Sequence, residues 1–183
     1  MTSRSDAVVL IGPMGAGKTS VGRRVAKALG RPFFDTDIAI KREHGPIEHL
    51  FEAHGETHFR ALERDAVIAG LERGGVVSLG GGAVLDAGTR ADLARHRVAL
   101  LTVEPRVVIA RVKDSTRPLL QGDDAGARWT EIYRARKPVY EELADATFDT
   151  SHGPLQDVVD AVVAWILATD ALAAEARTTE EDA

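Results

Sequence analysis

No cysteine occurs anywhere in the chain. Its absence excludes disulfides and thiolate metal sites and suits a reducing compartment. Long apolar runs are also missing: the longest spans residues 161–168, far short of the roughly 20 residues that cross a bilayer. Residues 1–6 are polar and lead straight into an apolar segment, leaving no room for a secretory leader. Positive charge is not in excess. The formal net charge is -5, so the overall field favours neither nucleic acid nor an anionic membrane. Any anionic ligand must therefore be gripped by local cations. Internal repeats and low-complexity linkers are absent as well. These absences lead us to expect a cytoplasmic protein with no nucleic-acid or membrane partner; a monomer is the accompanying expectation, which no sequence feature dictates.

The 183 residues fit one domain with enough volume for a sizeable core, and 44% hydrophobic with 28% charged residues is ordinary for a globular chain. Residues 7–11 form a continuous apolar run ending in a glycine-rich loop, which predicts a buried strand. A helix follows over residues 18–29, stopped by Gly30 and Pro32. Further strands are predicted at 32–37, 76–79, 98–103 and 147–150. Helices are predicted at 38–55 with a break at Gly45 and Pro46, then at 56–73, 88–96, from Pro105, 129–144 and 154–174. Strands alternating with helices give an α/β fold built on a parallel sheet. Residues 1–170 form the domain, residues 115–128 a mobile loop, and residues 171–183 an acidic, disordered tail.

Residues 12–19 read Gly-Pro-Met-Gly-Ala-Gly-Lys-Thr, filling every position of G-x-x-x-x-G-K-[ST] between a strand and a helix. Glycines let successive N–H groups turn toward phosphate oxygens, and the helix N-terminus adds its positive end. Gly15, Ala16, Gly17, Lys18, Thr19 and Ser20 are therefore expected to hold ATP. Lys18 would reach the β- and γ-phosphates, and the Thr19 hydroxyl is placed to ligate Mg²⁺.

Other strand ends carry unusual residues. Asp35 and Asp37 close the second strand; in extended chain, residues two apart face one side, so both carboxylates would enter one cleft. The competing reading makes them helix N-caps. Gly80, Gly81 and Gly82 follow the third strand, either for close approach of a ligand or as a plain turn. Arginine outnumbers lysine 18 to 5, so single arginines say little. Three have informative settings. Arg60 opens a helix beside Phe59, where it would otherwise pair with Glu56 or Glu63. Arg117 enters the polar loop, where a cation can close on transferring phosphate. Arg136 precedes Lys137 and Pro138 and has the planar fork that grips a carboxylate. His54 and His58 have the i,i+4 spacing of a metal pair, but Gly55 lies between them and no third ligand is evident, so they read as surface histidines. Trp165 is expected in the core; Trp129 borders the loop, on the surface or in lid packing.

In order and spacing, Asp35-Thr36-Asp37, Phe59-Arg60, Ser78-Leu79-Gly80-Gly81-Gly82, Thr116-Arg117-Pro118-Leu119-Leu120 and Arg136-Lys137-Pro138-Val139-Tyr140, added to the phosphate loop, resemble the shikimate kinase family from Val8 to about Leu167. The resemblance implies a nucleoside-monophosphate-kinase-like P-loop fold, with a five-stranded parallel sheet and a mobile lid at about residues 112–128. It implies transfer of the γ-phosphoryl of MgATP to the 3-hydroxyl of shikimate, on the route to chorismate and aromatic amino acids. It implies that Asp37 contacts the ring hydroxyls, and that Asp35 sits near Mg²⁺ through water. By the same resemblance Arg60 and Arg136 clamp the carboxylate, Gly80, Gly81 and Gly82 line the pocket, and Arg117 faces the phosphates. The competing expectations are a P-loop kinase for another small hydroxylated acceptor, such as gluconate or a nucleoside monophosphate, and a P-loop ATPase switch.

Overall fold

The computed structural model describes residues 7–112 and 124–181. Five strands, β1 (Val8–Ile11), β2 (Phe33–Asp35), β3 (Val76–Ser78), β4 (Arg97–Thr102) and β5 (Ala146–Asp149), form one sheet in the order β2-β3-β1-β4-β5. Every pairing is parallel, with Val9 opposite Val77 on one side and Val98 on the other. Parallel neighbours require crossovers, supplied by α1 (Lys18–Leu29), α2 (Thr36–His44), α3 (Ile47–Arg73), α4 (Ala87–Leu93), α5 (Pro105–Val112) and α6 (Ala125–Leu143); α7 (Leu155–Glu181) closes the chain.

The central strand is buried on both faces, as its unbroken apolar run predicts. Side chains alternate across it. Val8 and Leu10 join a cluster with Val21, Val25, Trp129, Val162 and Ile166, while Val9 and Ile11 join Val67, Leu71, Leu93 and Tyr140 on the other face. Each such large aliphatic side chain contributes about 1.5–3 kcal/mol on burial. A third cluster of Ile40, Leu50, Phe59 and Ala66 ties α2 to α3. This cluster seats the part of α3 that carries Arg60.

Helix boundaries follow local chemistry. Gly45 ends α2, and α3 bends at Gly55, whose φ of 79° no helix contains. Helices α2, α4 and α6 each start behind an aspartate (Asp35, Asp86 and Asp124) that accepts a backbone N–H. Two boundaries differ from the sequence reading. α6 begins at Ala125, where a loop through residue 128 was expected, because Asp124 caps it through the Ala127 N–H. α7 continues to Glu181, through a segment expected as a tail whose alanine and glutamate content favours helix. Trp165, expected in the core, is half-buried and packs edge-on against Phe148.

The strand order makes β1 the switch point: the chain leaves it through α1 for β2 on one side, and later crosses from β3 to β4 on its other side. Ligand crevices in such sheets open beyond the carboxyl ends at that point. The turns after β1, β2 and β3 all lie there.

Candidate active site

Between β1 and α1 the chain turns tightly: Gly12, Gly15 and Gly17 all have positive φ. At Gly12 a Cβ would strike the Leu101 carbonyl, so both conformation and space demand glycine. Helix α1 has Gly17 at its N-cap, no capping side chain and no acidic residue in its first turn. The aspartate-capped helices show the contrast: α1 alone of these four has no side-chain hydrogen bond at its cap, and a helix start of that kind suits an anion. Lys18 Nζ donates to the carbonyls of Gly12 at 2.7 Å and Pro13 at 2.9 Å, which holds the ammonium over the loop. The Thr19 hydroxyl donates to Asp35 Oδ2 at 2.7 Å. That pair of oxygens fits a hard divalent cation, which usually takes one or two protein oxygens and completes its shell with water and phosphate. Gly15, Gly17, Lys18, Thr19, Ser20 and Asp35 line one cleft; Ala16 is buried behind it.

The extended geometry expected for Asp35 and Asp37 does not occur. The strand stops at Asp35, whose Oδ1 accepts the Ile38 N–H at 3.0 Å and caps α2. Asp37 lies in the first helical turn. Both carboxylates still line the nucleotide cleft, brought there by the helix start and not by strand alternation.

A second cleft adjoins the first and shares Met14, Asp37 and Gly81 with it. Phe59, Arg60, Gly80, Gly82 and Arg136 complete its functional lining. Arg60 Nη1 donates to Glu63 at 2.6 Å, and Nη2 donates to Glu56 at 2.9 Å. The expected helix-surface pairing is therefore present, but it holds the guanidinium at the mouth of a pocket. A Cβ on Gly82 would stand 2.6 Å from Arg60 Cζ, so a side chain there would push the guanidinium aside. At Gly80 a Cβ would meet both Glu63 and Asp37, the latter at 2.7 Å. The glycine run thus packs closely against side chains of this cleft while forming a turn, with the Ala83 N–H donating to Gly80 O at 3.1 Å. Thr36 anchors it by accepting the Gly80 N–H at 2.9 Å. Arg136, nearly buried, donates to Gly81 O at 3.2 Å.

The family whose model matches, "Shikimate kinase", covers residues 14–167. The chain belongs to the shikimate kinase family. A shikimate kinase of Thermobifida fusca is 49% identical over 158 residues, covering 84% of this chain and 91% of that one. One of Mycobacterium avium is 43% identical over 166 residues, 89% and 94% respectively. Among solved structures, a shikimate kinase from Acinetobacter baumannii in complex with shikimate superposes with a TM-score of 0.85 at 36% identity, covering 90% of this chain and 94% of that one. Family membership makes the chain an ATP-dependent small-molecule kinase on a P-loop, nucleoside-monophosphate-kinase-like fold.

Within that shikimate kinase frame, several site features escaped the sequence reading. Glu63 is 3% exposed, and burial pushes its carboxyl above the ordinary range although Arg60 opposes the shift. Its signal was a carboxylate on the apolar face of α3, four residues after Phe59 and three before Ala66. The buried Tyr140 hydroxyl donates to Gly81 O at 2.5 Å, and burial pushes its pKa up to about 12. Trp129 is buried and donates Nε1–H to Met14 O at 2.9 Å. Arg117 and most of the expected lid lie outside the described residues. His54 and His58 are exposed, and among the described residues no group of three His, Asp or Glu is gathered for a metal. Among those residues, too, no helix is long and apolar enough to cross a membrane.

Proposed function

We propose that the chain transfers the γ-phosphoryl of MgATP to the 3-hydroxyl of shikimate, giving ADP and 3-phosphoshikimate, and does so as a cytoplasmic monomer. The observation that carries this reading is the pair of abutting clefts. One is a phosphate loop; the other carries Arg60, Arg136 and Lys41 beside the carboxylates of Asp37, Glu48 and Glu63, and Asp37 belongs to both.

Arg60 and Arg136 suit a carboxylate, since each can offer parallel N–H donors to its two oxygens. Asp37 suits the ring hydroxyls, as an acceptor that orients the attacking oxygen and takes its proton as the new O–P bond forms and the β–γ bridge breaks. Of the Gly80 to Gly82 run, the backbone N–H groups of Gly81 and Gly82 suit the ring face, since that of Gly80 is donated to Thr36. Gly15, Ala16, Gly17, Thr19 and Ser20 would cradle the phosphates, with Lys18 on the β- and γ-phosphates and Arg117 as the lid cation. Thr19 would ligate Mg²⁺ directly and Asp35 through water; the ion neutralises charge on the transferring phosphate. Most of the catalytic work left to the protein is positioning and exclusion of water.

The test is ADP release from MgATP with and without shikimate, with phosphorus NMR of the product. Release that depends on shikimate and yields 3-phosphoshikimate supports the reading. Turnover that ignores shikimate but proceeds with another polyol or a nucleotide overturns the acceptor assignment.

A further inference from the structure

Helix α6 is bonded to both clefts along one stripe. Trp129, Arg136 and Tyr140 are spaced by seven and four residues, which puts them on the same face of the helix. Trp129 donates to Met14 O, in the phosphate loop, at 2.9 Å. Arg136 and Tyr140 both donate to Gly81 O, in the turn after β3, at 3.2 Å and 2.5 Å. The two turns abut, since a Cβ on Gly81 would stand 3.4 Å from Gly12 O and from Met14 N. Trp129 and Tyr140 are each 1% exposed, so neither anchor is exchanged for water without opening the core.

We propose that Trp129 and Tyr140 are positioning residues that couple the clefts, so that nucleotide in the phosphate loop and acceptor on Arg136 raise each other's affinity. The proposal rests on the functional reading above. Its physical basis is that both ligand-seeking cations share backbone carbonyls of the abutting turns. Lys18 holds Gly12 O and Pro13 O, and nucleotide phosphate competes for that ammonium. Any resettling of the turn reaches α6 through the Trp129 bond and reaches Gly81 by direct packing. On the other side, an acceptor carboxylate competes with Gly81 O for Arg136. Tyr140 keeps that carbonyl bonded when Arg136 turns to the ligand, which removes the cost of an orphaned buried acceptor. The first ligand thereby fixes the frame of turn, helix and glycine run that the second one needs. Thermodynamic reciprocity demands the same factor in both directions.

The experiment measures the calorimetric Kd of shikimate alone and at saturating MgADP, then the Kd of MgADP with and without shikimate. We expect the wild type to show one common ratio, at least about fivefold. In Trp129→Phe, which keeps an aromatic ring and loses the N–H, the ratio should drop below about twofold while the shikimate Kd without nucleotide stays within about twofold. A wild-type ratio of one, or an unchanged ratio in the variant, overturns the proposal. If Trp129→Phe fails to fold by circular dichroism, Tyr140→Phe is measured in the same way, and an unchanged ratio there overturns it equally. A folded wild type that binds no shikimate at all sinks the functional reading instead, so the two failures are distinguishable.

Discussion

Substituting Gly82 by alanine sets backbone comfort against the position of Arg60. Gly82 has φ -100° and ψ -11°, a conformation that alanine adopts without strain. On the backbone alone, Gly82→Ala should stabilise the fold by about 0.4–1 kcal/mol through the unfolded chain. The new Cβ, however, would stand 2.6 Å from both Cζ and Nη2 of Arg60, so the guanidinium must retreat by roughly 1 Å. That retreat pulls Nη1 from Glu63, a carboxylate with only 4% of its side chain exposed. Leaving such a group without its donor costs about 1–3 kcal/mol, which outweighs the backbone gain. The melting temperature should fall, at about 2–4 °C per net kcal/mol. Function should suffer more. Losing one charge-assisted bond to the acceptor carboxylate, about 1.5–3 kcal/mol, lowers kcat/KM for shikimate by about 10- to 150-fold. The KM for ATP should hardly move, because neither Arg60 nor Gly82 lines the nucleotide cleft. Coupled ADP-release kinetics with each substrate varied in turn read both constants. An analogue with a hydroxymethyl group in place of the carboxylate supplies the control, since wild type and variant should converge on it. A shikimate KM within twofold of wild type would refute the assignment of Arg60 to the carboxylate.

Two further outcomes follow from buried polar groups. Glu63 has a folded pKa raised mainly by burial, so between its unfolded and folded values the folded chain holds the proton that the unfolded chain has lost. Its contribution to stability is therefore greatest below that window and declines as pH rises through it; urea melts from about pH 4 to about pH 8 should show Glu63→Gln flattening this decline, and an unchanged slope would count against it. The buried Thr150 hydroxyl lies 3.1 Å from Ala16 O, beneath the phosphate loop, and 3.0 Å from Thr102 O at the end of β4. Thr150→Val keeps the shape and removes the donor, so it should cost about 1–3 kcal/mol in denaturant melts and raise the KM for ATP more than that for shikimate.

The phosphate loop was legible because its defining residues, 12–19, are contiguous, although Leu101, Trp129 and Thr150 also shape it from far along the chain. The glycine breaks that bound α2 and bend α3 were legible for the same reason. Where sequence reasoning went astray, a local rule was applied to the wrong element. Strand alternation was invoked for Asp35 and Asp37, yet an aspartate followed three residues later by an apolar Ile38 is also an N-cap, and the cap prevailed. Glu63 was read only as a helix-surface partner of Arg60, and its burial depends on packing that the local pattern does not show. Bonds such as Arg136 to Gly81, 55 positions apart, carry no local signature. They depend on the strand order, which places the turn after β3 against the turn after β1 and leaves α6 to span them.

That order also explains how an acidic protein handles two anionic substrates. With a formal net charge of -5, the long-range field opposes both ATP and shikimate, and it is screened beyond about 8 Å at physiological salt. Capture must then rest on donors inside the clefts. Those donors are positioned by the protein itself: Arg60 is bonded to Glu56 and Glu63, Lys18 donates to the Gly12 and Pro13 carbonyls, Arg136 donates to that of Gly81, and the α1 N-terminus has no acidic cap. A carbonyl is a weaker partner for a cation than a carboxylate or phosphate oxygen. Holding Arg136 on a carbonyl therefore fixes its position and leaves a stronger bond to be made by the ligand.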